Sequence, residues 1–230
     1  MSQPLSANAG ETMNTLKIIL LALVTTSALF SQAALADRKV KITPELGSIE
    51  VLHLGKKVII ERNQNVNNTV DADYAKTSRH CPPFCIRPIK LTADVETIGE
   101  LELLQYLKKI GHDKSVMVID SRNPSSVAKG TIPGSVNIPW SSYDISKGAT
   151  DLDIESVLVD EFGASLNEDD KWDFSQAKTL VIFCNGMWCG NAPNNIYFLL
   201  SLGYPADKLK WYRGGMQTWH ALGFSTVSTH

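Results

Sequence analysis

The stretch TLVIFCNGMWCGNAPNN, residues 179–195, ends a continuous apolar run (Leu180, Val181, Ile182, Phe183) on a cysteine, Cys184, and places Cys189 five residues further on. A thiolate is both a nucleophile and a redox partner, and a free cysteine thiol titrates near about 8.5. Two thiols on so short a loop point to one of two chemistries: nucleophilic attack by Cys184, or reversible disulfide formation between the pair. Cys189 reads either as a resolving thiol or as a small residue that fills space. The other two cysteines, Cys81 and Cys85, stand beside His80 in SRHCPPFCIRP. These residue types suit zinc, but only three candidate ligands lie together and two prolines stiffen the span. A disulfide is the preferred reading for Cys81 and Cys85, and no metal is assigned.

Whether thiols pair depends on the compartment. Lys17 precedes an apolar run from Ile18 to Phe30, and small residues follow, ending Ala34-Leu35-Ala36. A positive start, a short apolar core and an Ala-x-Ala site are the layout of a secretory signal peptide. The run is shorter than the roughly 20 apolar residues that span a bilayer. The expectation is cleavage after Ala36, a periplasmic or secreted location, no stable membrane insertion, and an even number of cysteines in an oxidising compartment. Of 230 residues, 43% are hydrophobic and 20% charged, with net charge −2, a globular balance. So little net charge gives no electrostatic case for nucleic acid or an anionic membrane surface.

The elements that would hold Cys184 follow from periodicity. SIEVLHLG and KKVIIER are β-prone runs joined near Gly55, so a hairpin is expected in a small β-rich segment with its linker over 37–92. From 93 onward the pattern changes. TIGELELLQYLKKIG reads as a helix with Thr97 and Glu100 at capping-box spacing and Gly111 as its stop. SVMVID is a short apolar strand ending at Asp120, and KGTIPGSVNIPW a turn followed by another strand. DIESVLVDEFG is an amphipathic helix, NNIYFLLSLG a second, KLKWYRGG a last strand and MQTWHALG a closing helix. Short apolar strands alternating with helices signal an α/β fold whose central parallel sheet is covered by helices on both faces. Sites in such sheets form at the carboxyl ends of strands, where both Asp120 and Cys184 fall.

Three stretches in this order resemble the rhodanese family of sulfurtransferases: VMVIDSRNPSSVAKGTIPGSVNIP (116–139), VIFCNGMWCG (181–190) and LGYPADKLKWYRGGMQTWHALGF (202–224). The likeness covers about 95–228, within a rhodanese-like domain placed at 93–230. It implies that Cys184 is the catalytic nucleophile and that Asn185, Gly186, Met187, Trp188, Cys189 and Gly190 form its loop. Such a loop would turn backbone N–H groups onto the sulfur as an anion nest, and the following helix would add its positive N-terminus. These settings lower a cysteine pKa to about 3.5–7.5. Compared with the similar loop of dual-specificity phosphatases, this one is a residue shorter and has Gly190 where those end in arginine.

The resemblance implies an exported sulfurtransferase that needs no cofactor. It would pass sulfane sulfur through a Cys184 persulfide from a small sulfur donor or persulfide-bearing protein to a thiol acceptor. Many rhodaneses carry a cation inside the loop, and this chain has none there, which puts thiosulfate in doubt as donor. Arg213 and Arg122 are the candidates to supply charge from neighbouring strands, and Asp120 and Arg122 are expected to pair under the site. The alternative is a periplasmic thiol-disulfide protein, or a redox-sensitive binding module, that uses Cys184 and Cys189 on the same scaffold.

Overall fold

The computed structural model describes residues 39–78, 86–169 and 171–228. The expected signal peptide and the Cys81–Cys85 pair with His80 lie outside the described residues. From Val40 onward the chain is one compact unit.

Five strands form a wholly parallel sheet: β3 (Glu96–Ile98), β4 (Val116–Asp120), β5 (Val136–Asn137), β8 (Thr179–Phe183) and β9 (Leu209–Tyr212). Their spatial order is β3-β9-β8-β4-β5. Alternation splits each strand between two apolar layers. Met117, Ile119, Leu180, Ile182, Leu209 and Trp211 pack on one face with Ala192, Ile196 and Leu199 of a helix at Asn191–Ser201. Val118, Val181, Phe183 and Tyr212 pack on the other, with Leu103, Leu104 and Leu107 of helix α1 (Glu100–Leu107). The sheet is therefore buried on both sides, as the absence of polar alternation in its strands requires. Helix α2 (Pro124–Val127) follows β4, α3 (Asp151–Ser156) continues into a π-helical turn at Val157–Glu161, α4 is Asn191–Ser201, and α5 is Gly215–Ala221.

Strands β1 (Ser48–His53) and β2 (Lys56–Glu61) pair antiparallel through a two-residue turn, Leu54-Gly55, with both φ positive at 48° and 75°. That is the geometry a right-handed twist selects for tight hairpins. Ile49, Val51 and Ile60 bury into the layer that holds α1 and α5, so the hairpin shares the core of the sheet domain. His53 Nδ1 accepts the Gly134 N–H at 3.1 Å, tying the hairpin to the Pro133-Gly134 turn.

Two expectations change. Thr97 does not cap α1; it lies in β3, and the cap is Gly99, whose N–H donates to the Glu102 carboxylate at 3.1 Å. A three-residue strand is too short to show period-two patterning, so the helix signal overran it. The sequence also gives no sign of a small antiparallel pair, β6 (Ser165–Leu166) with β7 (Trp172–Asp173), beside the sheet. Among the described residues no helix is long and apolar enough to cross a membrane.

Candidate active site

Strands β4 and β8 run in register, with Asp120 opposite Phe183. Their carboxyl ends therefore bring Asp120, Ser121 and Cys184 together, and the Ser121 N–H donates to the Phe183 carbonyl at 2.9 Å. Asp120 and Arg122 form a buried, bidentate ion pair: Nε to Oδ1 at 2.9 Å and Nη2 to Oδ2 at 2.7 Å. Thr131 Oγ1 donates to the same carboxylate at 2.7 Å. Arg122 also donates to the Gly130 carbonyl at 2.7 Å and to the Tyr74 hydroxyl at 2.9 Å. Its donors are thus committed to the floor beneath the loop.

After Phe183 the chain turns through residues 184–190 and enters α4 with Gly190 at the cap. The loop is pinned from outside. Met216 and Gln217 donate backbone N–H groups to the carbonyls of Cys184 and Asn185 at 3.0 and 2.9 Å. This approach needs Gly215, at φ +54°: a Cβ there would lie 2.3 Å from the Cys184 carbonyl oxygen and 2.7 Å from the Gly186 nitrogen. Within the loop, Cys189 N–H closes a turn on the Gly186 carbonyl at 2.9 Å. Trp188 Nε1 donates to Gln217 Oε1 at 3.0 Å, while Met187 is 39% exposed.

Both thiols are free and buried. Backbone N–H groups of Gly186 and Ala192 point at the Cys184 sulfur, and those of Asn185 and Asn191 at the Cys189 sulfur. The nest and the N-terminus of α4 are thus both aimed at sulfur. The charge, however, settles differently from the expectation of a low Cys184 pKa. Burial, together with the hydrogen bond and charge of Cys189, holds the Cys184 thiol well above the usual range against the pull of its two amides. The hydrogen bond from Cys184 brings Cys189 down to about 7, with help from the Asn191 and Asn185 amides and against its own burial. The two thiols therefore titrate as a pair, with Cys189 the partner that gives up its proton more readily.

Residues that the sequence did not single out complete the site. Tyr74 reaches Arg122, stacks on His220 with ring centroids 4.3 Å apart, and accepts Gln217 Nε2 on its carbonyl at 3.4 Å. A cavity of about 180 Å³ beside the loop is lined by Tyr74, Arg122, Lys129, Asn185 and Trp188, among others. Arg213, expected to bring charge to the sulfur, instead donates Nη2 to the Arg87 carbonyl at 2.8 Å and Nε to the Pro88 carbonyl at 3.3 Å. That clamp sets Arg87 on the loop. Its N–H donates to the Met187 carbonyl at 3.2 Å, and its Nη2 lies 2.5 Å from where a Gly190 Cβ would stand. Among the described residues no group of three His, Cys, Asp or Glu side chains is placed to hold a metal.

The family profile described as rhodanese-like domain matches residues 103–222. A search of curated proteins found no match. Among solved structures the chain is similar to the human single-domain sulfurtransferase TSTD1, at 24% identity over 54% of this chain and 95% of that one, with a TM-score of 0.36. It is similar to a rhodanese-related protein from Thermoplasma volcanium, at 22% over 57% and 97%, TM-score 0.34. It is also similar to the thiosulfate sulfurtransferase of Pseudomonas aeruginosa, at 14% over 59% of this chain and 21% of that one, TM-score 0.39. A profile matching more than half the chain, over the strands and loop just described, places this protein in the rhodanese-like domain family.

Proposed function

We propose that the protein is an exported sulfurtransferase in which Cys184 carries sulfane sulfur as a persulfide. Family membership supports a sulfurtransferase-like role in general. The observation that carries the finer reading is the dithiol: Cys184 at the carboxyl end of β8, under the amides of Gly186 and Ala192, hydrogen-bonded to a Cys189 whose pKa is about 7. The Cys189 thiolate takes the Cys184 proton as Cys184 attacks. The Cys184 sulfur bonds the outer sulfur of a donor R–S–S⁻, the donor S–S bond breaks, and R–S⁻ leaves. An acceptor thiolate then attacks the outer sulfur of the persulfide, and Cys184 departs as thiolate into the same ring of amides. Export is proposed from the sequence signals alone.

Intact mass of the mature protein before and after incubation with a sulfane-sulfur donor tests this. The expected result is a gain of one sulfur atom, lost with a thiol acceptor and absent in Cys184→Ser. Persulfide formation undiminished in Cys184→Ser sinks the assignment. N-terminal sequencing from the native host should begin at Asp37.

The contact between two buried free thiols favours a second reading, a thiol-disulfide protein. It predicts a loss of two hydrogens under mild oxidation, with a Cys184–Cys189 cross-link in non-reduced peptide maps and no sulfur gain from donors.

A further inference from the structure

We propose that the protein also reduces sulfane sulfur: Cys189 attacks the inner sulfur of the Cys184 persulfide, releases hydrosulfide and leaves a Cys184–Cys189 disulfide that an external dithiol reduces. This rests on the reading of Cys184 as the sulfur carrier and names the carrier's first acceptor. The loop is built around two sulfurs. Each receives one backbone N–H from the loop and one from the first turn of α4: Gly186 and Ala192 for Cys184, Asn185 and Asn191 for Cys189. Asn185 adds its side-chain amide, with Nδ2 at 4.0 Å from the Cys189 sulfur. A residue that only filled space would not need donors placed to hold an anion. The turn closed by Cys189 N–H on the Gly186 carbonyl, at 2.9 Å, folds the second thiol back on the first. There it hydrogen-bonds the Cys184 sulfur, the atom that becomes the inner sulfur of the persulfide. The pair is also shut in, with Cys184 3% and Cys189 6% exposed. The neighbouring thiol is therefore in place before any external acceptor has arrived.

Atoms and electrons balance within the pair. Cys189, having taken the Cys184 proton during sulfur uptake, stands as a neutral thiol beside Cys184–S–S⁻. Its sulfur bonds the Cys184 sulfur, the bond to the outer sulfur breaks, and the Cys189 proton leaves with that sulfur as HS⁻. The sulfane sulfur gains two electrons, and each cysteine sulfur gives up one. A dithiol then restores both thiols by exchange and departs as its own disulfide. The net reaction takes R–S–S⁻ and a dithiol to R–S⁻, HS⁻, a proton and a disulfide. An external thiolate attacks the outer sulfur and carries it away, whereas Cys189, held against the inner sulfur, reduces it. A reaction that regenerates dithiols must therefore supply this protein, and one that consumes hydrosulfide must follow it.

A single turnover without added thiol tests this. The reduced protein, freed of reductant, is mixed with an equivalent of benzenethiosulfonate, which gives up its sulfane sulfur as benzenesulfinate. Sulfinate, sulfide and intact mass are followed together in the wild-type protein and in Cys189→Ser. The wild type should gain a sulfur atom briefly, then become lighter than the reduced protein by two hydrogens. Each Cys184–Cys189 cross-link in the peptide map should be matched by a hydrosulfide released. Cys189→Ser should take up sulfur and keep it. At equal sulfinate release, so that slower uptake without the Cys189 base does not enter, its sulfide release should be slower by more than about a hundredfold, the advantage of a tethered nucleophile over a dissolved one. A dithiol added to the cross-linked wild type should restore the thiols and permit a second turnover. Sulfide released as fast from Cys189→Ser, or a wild-type persulfide that persists without a cross-link, overturns the proposal and leaves the transfer function standing. A cross-link without hydrosulfide overturns it in favour of plain disulfide exchange. If Cys189→Ser takes up no sulfur, the wild-type ratio of hydrosulfide to cross-link decides alone. If neither protein gains sulfur and no sulfide appears, the function proposed above fails and takes this step with it.

Discussion

Two thiols that titrate as a pair make reactivity depend on pH in a specific direction. Cys189, lowered to about 7 by the Cys184 hydrogen bond, carries the pair's charge above that pH and loses it below. Alkylation of the pair should therefore be fast at pH 8 and fall with a midpoint near 7. In Cys189→Ala the hydrogen bond is gone and burial still opposes charge on Cys184, so the midpoint should move above the ordinary thiol range, measured as rate against pH. Beneath the loop, Arg122→Ala would strand the Asp120 carboxylate in a dry site. Breaking such a buried pair costs about 3–5 kcal/mol, and chemical denaturation should show it as a lowered midpoint. Cys184 and Asp120 were legible in the sequence because strands of apolar residues end on them. Arg87, Tyr74 and Gln217 were not. The first two lie in coil with no periodicity to read, and the backbone partners that fix them, Met187 and Arg213 for Arg87 and Gln217 for Tyr74, are a hundred residues or more away. Gln217 looks like any exposed helix residue until the chain folds back on it.

Among the elements, the junction of β9 with α5 matters most to the loop. Gly215→Ala combines positive φ with a contact on backbone atoms that have no room to give. The strain alone is worth about 1–3 kcal/mol. The expected outcome is a lowered Tm together with slowed alkylation of Cys184, because the loop must shift to admit the methyl. The hairpin turn offers the opposite change. Leu54 sits at φ 48° and is 73% exposed, so its side chain pays for a left-handed backbone without a packing return. Leu54→Gly should stabilise by about 1 kcal/mol, seen as a Tm rise of about 2–4 °C for a chain of this size. The hairpin, the amphipathic helices and the parallel strands were legible because each has a clear period. Strand β3 and the β6–β7 pair were not, since two or three residues cannot show one.

At the scale of the whole molecule, the hairpin and the sheet domain stabilise each other. Ile60 is fully buried in the layer of α1 and α5, so Ile60→Ala should cost about 2–5 kcal/mol and unfold the sheet domain with the hairpin in a single denaturation transition. The same docking is sensitive to acid. Burial lowers the His53 pKa below 6.5, and its Nδ1 must stay unprotonated to accept from Gly134. Well above pH 6.5 both folded and unfolded chains hold a neutral imidazole and there is no effect. Below it the unfolded chain binds a proton that the folded one refuses, so stability falls. Tm should drop between pH 7 and pH 5, and by less in His53→Gln. The clamp of Arg213 on residues 87 and 88 has a consequence of another kind. A side chain inside the matched region steadies a segment that precedes it, and that segment braces the sulfur-holding loop in turn through the Arg87 N–H on the Met187 carbonyl, so the bounds of the family match at 103–222 are not the bounds of what shapes the loop.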